Sequence, residues 1–192
     1  MAPYSTWAVV QRHKRSVPAQ VPVLRDLERV CYEGYGPGGT AVLIECETAD
    51  RQRSGVLIRR LFAAHGGHLG APGAVAYLFH PVGLISYPPG TDCDRVGEAA
   101  LAAGAEDVVA GVDGGIEVLT DPIDLETVRM LLVANGLPPG SAQLTRRACT
   151  SVPLSGECAR QMLLLLRALE RVADVRDVYS NVALPDEIVA EA

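Results

Sequence analysis

The chain has 192 residues, 48% of them hydrophobic, with 17 basic and 23 acidic side chains and a net charge of −6. That length holds one large or two small domains with proper cores, and with no long unbroken apolar run it excludes a membrane-spanning helix. The acidic balance excludes a generally polyanion-seeking surface, because nucleic acid rewards clustered cations.

The first residues, "MAPYSTWAVVQRHKRS", do not read as a signal peptide: no continuous apolar core is present, and the charges follow the apolar part instead of leading it. Residues 1–30 carry five basic and two acidic side chains, +3, while the remaining 162 carry 12 and 21, −9. Arg12, His13, Lys14 and Arg15 form the one dense cationic cluster, a candidate for phosphate contact or else a solvated basic tail. "SVPAQVPVL", residues 16–24, reads as a linker on its two prolines.

The stretch "YEGYGPGGTA" follows at 32–41. It lacks the lysine of a phosphate-binding loop, and its glycines open a strand where a dinucleotide fingerprint would open a helix. Gly36, Pro37, Gly38 and Gly39 therefore read as a tight turn, with Gly38 or Gly39 at positive φ, and as a possible contact loop. "TAVLIECET" (40–48) is the strand it feeds. Residues 54–67 read as a helix capped by Ser54, stopped at Gly66-Gly67, with Leu57, Ile58, Leu61 and Phe62 as the apolar face. Arg51, Arg53, Arg59 and Arg60 flank or ride it. They are candidates for nucleic-acid backbone contact, or a solvated face paired with Glu45, Glu47 and Asp50.

Further strands are expected at 73–79, 83–87 and 141–148 and a helix at 95–104. "EDVVA" and "GIEVLT" read as a hairpin around "GVDGG". A helix is expected to open at Asp121-Pro122 and run to Asn135-Gly136. The longest helix is expected at 155–172, where Met162, Leu165, Leu166 and Leu169 form a core stripe or a partner face, and a last strand at 174–181.

The order βαββαβ over about 83–148 is that of a ferredoxin-like sandwich. The flanks, βαβ before and αβ after, form a second one if a short strand lies near "TSVPL" (150–154). The fold class is thus α+β, two ferredoxin-like α/β sandwiches, one inserted into the other. The domains are a short basic segment at 1–30, a discontinuous domain at 31–81 plus 150–192, and an insert at 82–149.

No constellation for catalysis, cofactor or metal emerges. Cys31, Cys46, Cys93, Cys149 and Cys158 are odd in number and scattered without a CxxC pair, as in reduced cytosolic proteins. His65 and His68 are separated by two helix-breaking glycines, and no third ligand accompanies them. No nucleophile stands with a base. The sequence thus predicts a non-enzyme with no cofactor and no metal.

"YEGYGPGGTAVLIEC", "GGHLGAPGAVAYLF", "AALAAGAEDVV", "VRMLLVANGL" and "DVRDVYSNVALPDEI" together resemble the YebC/PmpR family of bacterial gene-expression regulators, to which the mitochondrial translational activator of cytochrome c oxidase is related. The resemblance runs from about residue 28 to the end and implies a helical N-terminal domain followed by two α/β domains, one inserted in the other. The opening residues resemble the family's start, with Pro3, Tyr4 and Thr6 where the family has Gly, His and Lys. Trp7 and Tyr32 stand only 25 positions apart, so most of the basic helical domain is missing from this stretch. The resemblance implies a cytoplasmic transcriptional regulator with weak DNA binding. The alternatives are a translation factor contacting ribosomal or transfer RNA on the ribosome, and a protein-interaction module without nucleic-acid binding.

Overall fold

The computed structural model describes residues 4–6, 27–111 and 114–190. These divide into two compact units: one contains residues up to Phe79 together with those from Ala148 on, the other spans His80–Arg147.

The first unit begins with β1 (Tyr4–Thr6) and β2 (Glu28–Tyr35), followed by the glycine turn and β3 (Ala41–Thr48). Then come α1 (Arg51–Ala64) and the two-residue β4 (His68–Leu69). Its four-stranded antiparallel sheet has the order β10-β3-β2-β4, where β10 is Val175–Ser180. Beyond it, β9 (Val152–Pro153) and β11 (Val182–Pro185) join β1 in a small three-stranded sheet, and α5 (Asp186–Ala190) ends the unit.

Period-2 alternation splits β3 between two cores. Val42, Ile44 and Cys46 face Ile58 and Phe62 of α1 and Met162, Leu165 and Leu169 of α4 (Gly156–Glu170). Ala41 and Leu43 face the other way, onto Val75, Phe79 and Tyr179. With both faces covered, the first four residues of β3, Ala41 to Ile44, are all apolar and buried, as expected for a doubly buried strand, and Glu45 and Glu47 follow where burial is partial.

The second unit is β5 (Phe79–Tyr87), α2 (Cys93–Ala102), β6 (Asp107–Ala110), β7 (Ile116–Thr120), α3 (Leu125–Ala134) and β8 (Ser141–Ala148). Its sheet order, β6-β7-β5-β8, is that of a ferredoxin-like sandwich. Ile85, Tyr87, Ile116 and Val118 meet Val96, Ala100, Val128 and Leu132 of the two helices. The Tyr87 hydroxyl donates to the Leu137 carbonyl at 2.8 Å, tying β5 to the turn after α3.

Four local readings are corrected. Residues 73–79 are not a strand: a turn and one 3-10 turn (Ala76–Leu78) precede β5. The amides of Gly73, Val75 and Ala76 donate to the Glu33 carboxylate instead of to a neighbouring strand, which curls the backbone. The strand sought near 150–154 exists as β9, but it lies in the small sheet; the third position of the main sheet is filled by β2, from the opposite end of the chain segment. α1 starts three residues before Ser54, because Asp50 caps it by accepting from the Arg53 amide at 3.0 Å; Leu57 is exposed. Asp121 caps a turn, accepting from the Ile123 amide at 2.8 Å, and α3 begins only at Leu125.

Among the described residues no helix is long and apolar enough to cross a membrane.

Candidate nucleic-acid interface

α1 is held at its first turn by a half-buried polar pin. Asp174 Oδ2 accepts from Ser54 Oγ at 2.5 Å and from Thr48 Oγ1 at 3.0 Å. Thr48 Oγ1 in turn accepts from the Asp50 amide at 3.0 Å. The Tyr32 hydroxyl donates to the Arg51 carbonyl at 2.7 Å. Burial, with the Cys46 side chain next, pushes the Tyr32 phenol above its ordinary range and keeps it a donor. Burial, helped by Asp174 and Cys31, pushes the Cys46 thiol up to about 12, so it packs as a small hydrophobe with no thiolate chemistry. Gly55 keeps the helix close to Tyr32: a Cβ there would sit 3.2 Å from the ring.

This anchoring fixes where the arginines point. Helical spacing sets Ser54, Ile58 and Phe62 on the buried side and Arg53 and Arg60 on the opposite side, with Arg59 on the flank. Arg51, Arg53, Arg59 and Arg60 are all exposed. Arg51 and Arg53 lie inside the first turn, not ahead of it. Two of their three expected carboxylate partners are engaged elsewhere. Glu47 takes Arg29 at 3.2 Å and Arg176 at 2.8 Å, and Asp50 caps the helix. Among the described residues no salt bridge occupies the four α1 guanidinium groups.

The glycine turn lies beyond the other end of α1, roughly 21 Å along a helix of 14 residues. Gly38 and Gly39 have φ of 69° and 75° and are exposed, while Gly36 and Pro37 are buried. The amides of Gly36, Gly39 and Thr40 donate inside the turn at 2.8, 3.1 and 3.5 Å. Thr40 Oγ1 bonds to the Pro37 carbonyl at 3.0 Å and reaches Met162 Sδ at 3.2 Å. Three amides already engaged do not form an anion cradle. The structure thus brings the four α1 arginines onto one element and leaves the glycine turn apart from Arg51 and Arg53. Arg12, His13, Lys14 and Arg15 lie outside the described residues.

His65 ends α1 and His68 lies in β4, its ring 5.4 Å from that of Tyr35. Among the described residues no group of three or more His, Cys, Asp or Glu side chains is placed to hold a metal ion.

Sequence reasoning missed Glu33. It is buried, and its carboxylate accepts from the amides of Gly73, Val75 and Ala76 at 2.6, 2.8 and 2.8 Å. Burial raises its pKa, but the three backbone bonds outweigh burial and hold it below the usual carboxylate range. The signal was the period-2 pattern of "YEGY", which sets an acid on the face shared by Leu43.

Compared with known proteins, residues 27–182 match the family described as "TACO1/YebC second and third domain". A "probable transcriptional regulatory protein" of Methylococcus capsulatus is 50% identical over 164 residues, covering 85% of this chain and 66% of the relative. A protein of the same description from Hahella chejuensis is 44% identical with the same two shares. The crystal structure of a conserved hypothetical protein from Aquifex aeolicus superposes with a TM-score of 0.77 at 36% identity, covering 86% of this chain and 68% of that one. The chain spans about two thirds of the length of the curated relatives it matches.

Proposed function

We propose that this chain, which belongs to the TACO1/YebC family, regulates gene expression in the cytoplasm through weak, charge-driven contact with nucleic acid, and that it catalyses no reaction. DNA is the first target, in keeping with the names of the relatives; ribosomal or transfer RNA, met on the ribosome, is the second. The observation that carries the reading is the outer face of α1. Arg53, Arg59 and Arg60 stand exposed on a helix whose start is pinned, and no described carboxylate neutralises them. Guanidinium groups in that state are free to fork onto phosphate oxygens. The basic cluster Arg12, His13, Lys14 and Arg15 adds a second cationic segment to the same task. No cofactor or metal is needed.

The test is binding of wild type and an Arg53→Gln, Arg59→Gln, Arg60→Gln triple variant to one duplex DNA and one single-stranded RNA across a salt series. Each phosphate contact contributes a log–log slope of about −0.9 on duplex and about −0.7 on a single strand. The variant is expected to bind more weakly, with a slope shallower by roughly 2 to 3 on duplex by the same counterion argument. Its thermal midpoint should stay within a degree or so of wild type, since exposed side chains away from structural features contribute little. Unchanged binding and slope would remove α1 from the interface. Co-sedimentation with ribosomes without duplex binding would move the target to RNA.

A further inference from the structure

The second unit carries an exposed apolar surface that its own core does not use. α3, "LETVRMLLVA", has only two charged residues, Glu126 and Arg129. They pair with each other one turn apart, Arg129 Nε donating to Glu126 Oε2 at 2.9 Å. Val128 and Leu132 face the core, yet the outer side is apolar as well: Ile123 is 87% exposed, Met130 60%, and Leu131 and Val133 are also exposed. A helix that is apolar nearly all round belongs in an interior. Beside it runs an open cleft of about 520 Å³ between α2 and α3, with Ala99, Ala102 and Ala103 from α2, Leu131 and Leu137 from the α3 side, and Arg95, Glu98 and Asn135 as its polar lining. Small side chains on one wall and leucines on the other leave room for the ridge of a docking helix.

Charge decides what the occupant is. Residues 80–147 hold ten carboxylates and four arginines with no lysine, a net of −6. Of those arginines, Arg129 is held by Glu126, and Arg95 Nη2 reaches back to the Asn135 carbonyl at 3.5 Å. Asp94 and Glu98, one turn apart and both exposed, line up with the exposed Leu101 on the outward side of α2; Glu98 also lines the cleft. The apolar ridge of α3, beside a cleft with Glu98 on its rim and Asp94 one turn before it, complements a helix with leucine-like side chains on one face and lysine or arginine beside them. A second copy would set −6 against −6, and a nucleic acid would meet the same repulsion.

We propose that the α2–α3 face docks a basic amphipathic helix of a partner protein. Its apolar side chains enter the cleft beside Leu131, and its cations fall on Asp94 and Glu98. This surface uses none of the α1 arginines, so the proposal stands or falls independently of the nucleic-acid reading.

The experiment uses the full chain and three fluorescein-labelled peptides of equal length, measured by anisotropy: a Leu/Lys amphipathic helix, a Leu/Glu helix, and a Ser/Lys peptide matching the charge of the first. The Leu/Lys peptide is expected to bind at least about tenfold tighter than either control, the scale of one well-buried apolar anchor. Met130→Glu and Leu131→Glu should each weaken it about tenfold, with the thermal midpoint retained because both side chains are exposed. Asp94→Lys with Glu98→Lys should reverse the preference, favouring the Leu/Glu peptide, a gain that a misfolded variant would not show. Equal binding of the Ser/Lys peptide would overturn the proposal, as would indifference to all four substitutions. So would self-association of the wild type that Met130→Glu abolishes, since the face would then hold a second copy.

Discussion

The two units of the molecule reach the same sheet order by different routes through the chain. In the second, β5, α2, β6, β7, α3 and β8 follow one another without a break and give the order β6-β7-β5-β8. In the first, β3, α1, β4, α4 and β10 supply five of the six elements, and the sixth, β2, comes from in front of β3. Numbered by position in the sandwich, both sheets read 4-1-3-2. The difference lies in what holds them. The second unit has one apolar core, with the buried Tyr87 hydroxyl bonded to the Leu137 carbonyl beside it. The first adds polar fasteners at three places where residues distant in the chain meet: Glu33 on the 73–76 amides, the half-buried Asp174 on Thr48 and Ser54, and Asn181 Oδ1 accepting from the Ala41 amide at 2.8 Å. In the segmented unit these bonds tie residues far apart in the chain, whereas the elements of the contiguous unit already follow one another in sequence.

The widest consequence concerns autonomy. Residues 82–149 are proposed to fold alone, because the α2–α3 core lies within one stretch of chain. The isolated segment should unfold cooperatively in urea and show dispersed amide resonances. A broad, non-cooperative transition would mean that the contiguous unit depends on the segmented one and would erase the contrast.

Close backbone approach provides the next test. At Gly67, just past α1, an added Cβ would lie 2.5 Å from the Tyr35 carbonyl oxygen and 3.1 Å from Gly36 Cα. Both obstacles are backbone, so neither can swing aside. Gly67→Ala should cost about 2–3 kcal/mol, the upper part of the range for overpacking, read as a shifted urea midpoint of the first unit. The second unit's transition should not move if the two are independent.

Glu33 sharpens the comparison chemically. Glu33→Gln keeps the size and removes the charge that three amides share, and should cost the first unit about 1.5–3 kcal/mol, the range for hydrogen bonds to a charged group. The sign with pH follows from its depressed pKa. The folded protein holds the carboxylate ionised more readily than the unfolded chain, whose value is near 4.5. Its contribution is therefore complete well above pH 4.5 and is lost as pH falls through the lower folded value. Wild type and variant should converge in stability on acidification. A gap that persists once acid has protonated Glu33 in the folded protein would assign the loss to altered shape, not charge.

How much of this was readable from sequence follows the same division. The second unit was legible because its hydrophobic periods, Gly104 stop and "GVDGG" hairpin are all local signals, although the start of α3 was set a turn early by reading Asp121 as the cap. The first unit was legible in β3, α4 and β10, whose apolar patterns are strong. It was not legible in β2, because "ERVCYEGY" mixes charges with glycine and reads as an approach to a turn. Nor was the curled 73–79 segment, because its conformation is imposed by a carboxylate 40 residues earlier. For the interface, the α1 arginines were visible as residues, but their lack of a salt-bridge partner was not: it depends on Glu47 choosing Arg29 and Arg176 across strands.

The smallest effect separates two neighbouring glycines in the turn that opens β3. Gly38 and Gly39 both adopt left-handed backbone, where a Cβ costs about 1 kcal/mol. That term applies equally to Gly38→Ala and Gly39→Ala. Packing distinguishes them. A Cβ at Gly39 would meet nothing within 4 Å, whereas at Gly38 it would lie 2.5 Å from Leu154 Cδ2, a side chain buried beside β9. Leu154 can rotate only by disturbing the core it shares with Met162 and Leu184. Gly39→Ala should therefore cost about 1 kcal/mol, and Gly38→Ala about 1 kcal/mol more, a low-end overpacking penalty. Urea melts of the two variants, compared at the first unit's transition, measure the difference directly. Equal losses would show that Leu154 yields freely and that the turn is held by backbone conformation alone. Nucleic-acid binding measured on the same two proteins adds the remaining distinction. Gly39, exposed and uncrowded, tolerates its Cβ in the free protein, so a binding defect in Gly39→Ala beyond its small stability loss would make the turn a contact loop as well as a hinge between β2 and β3.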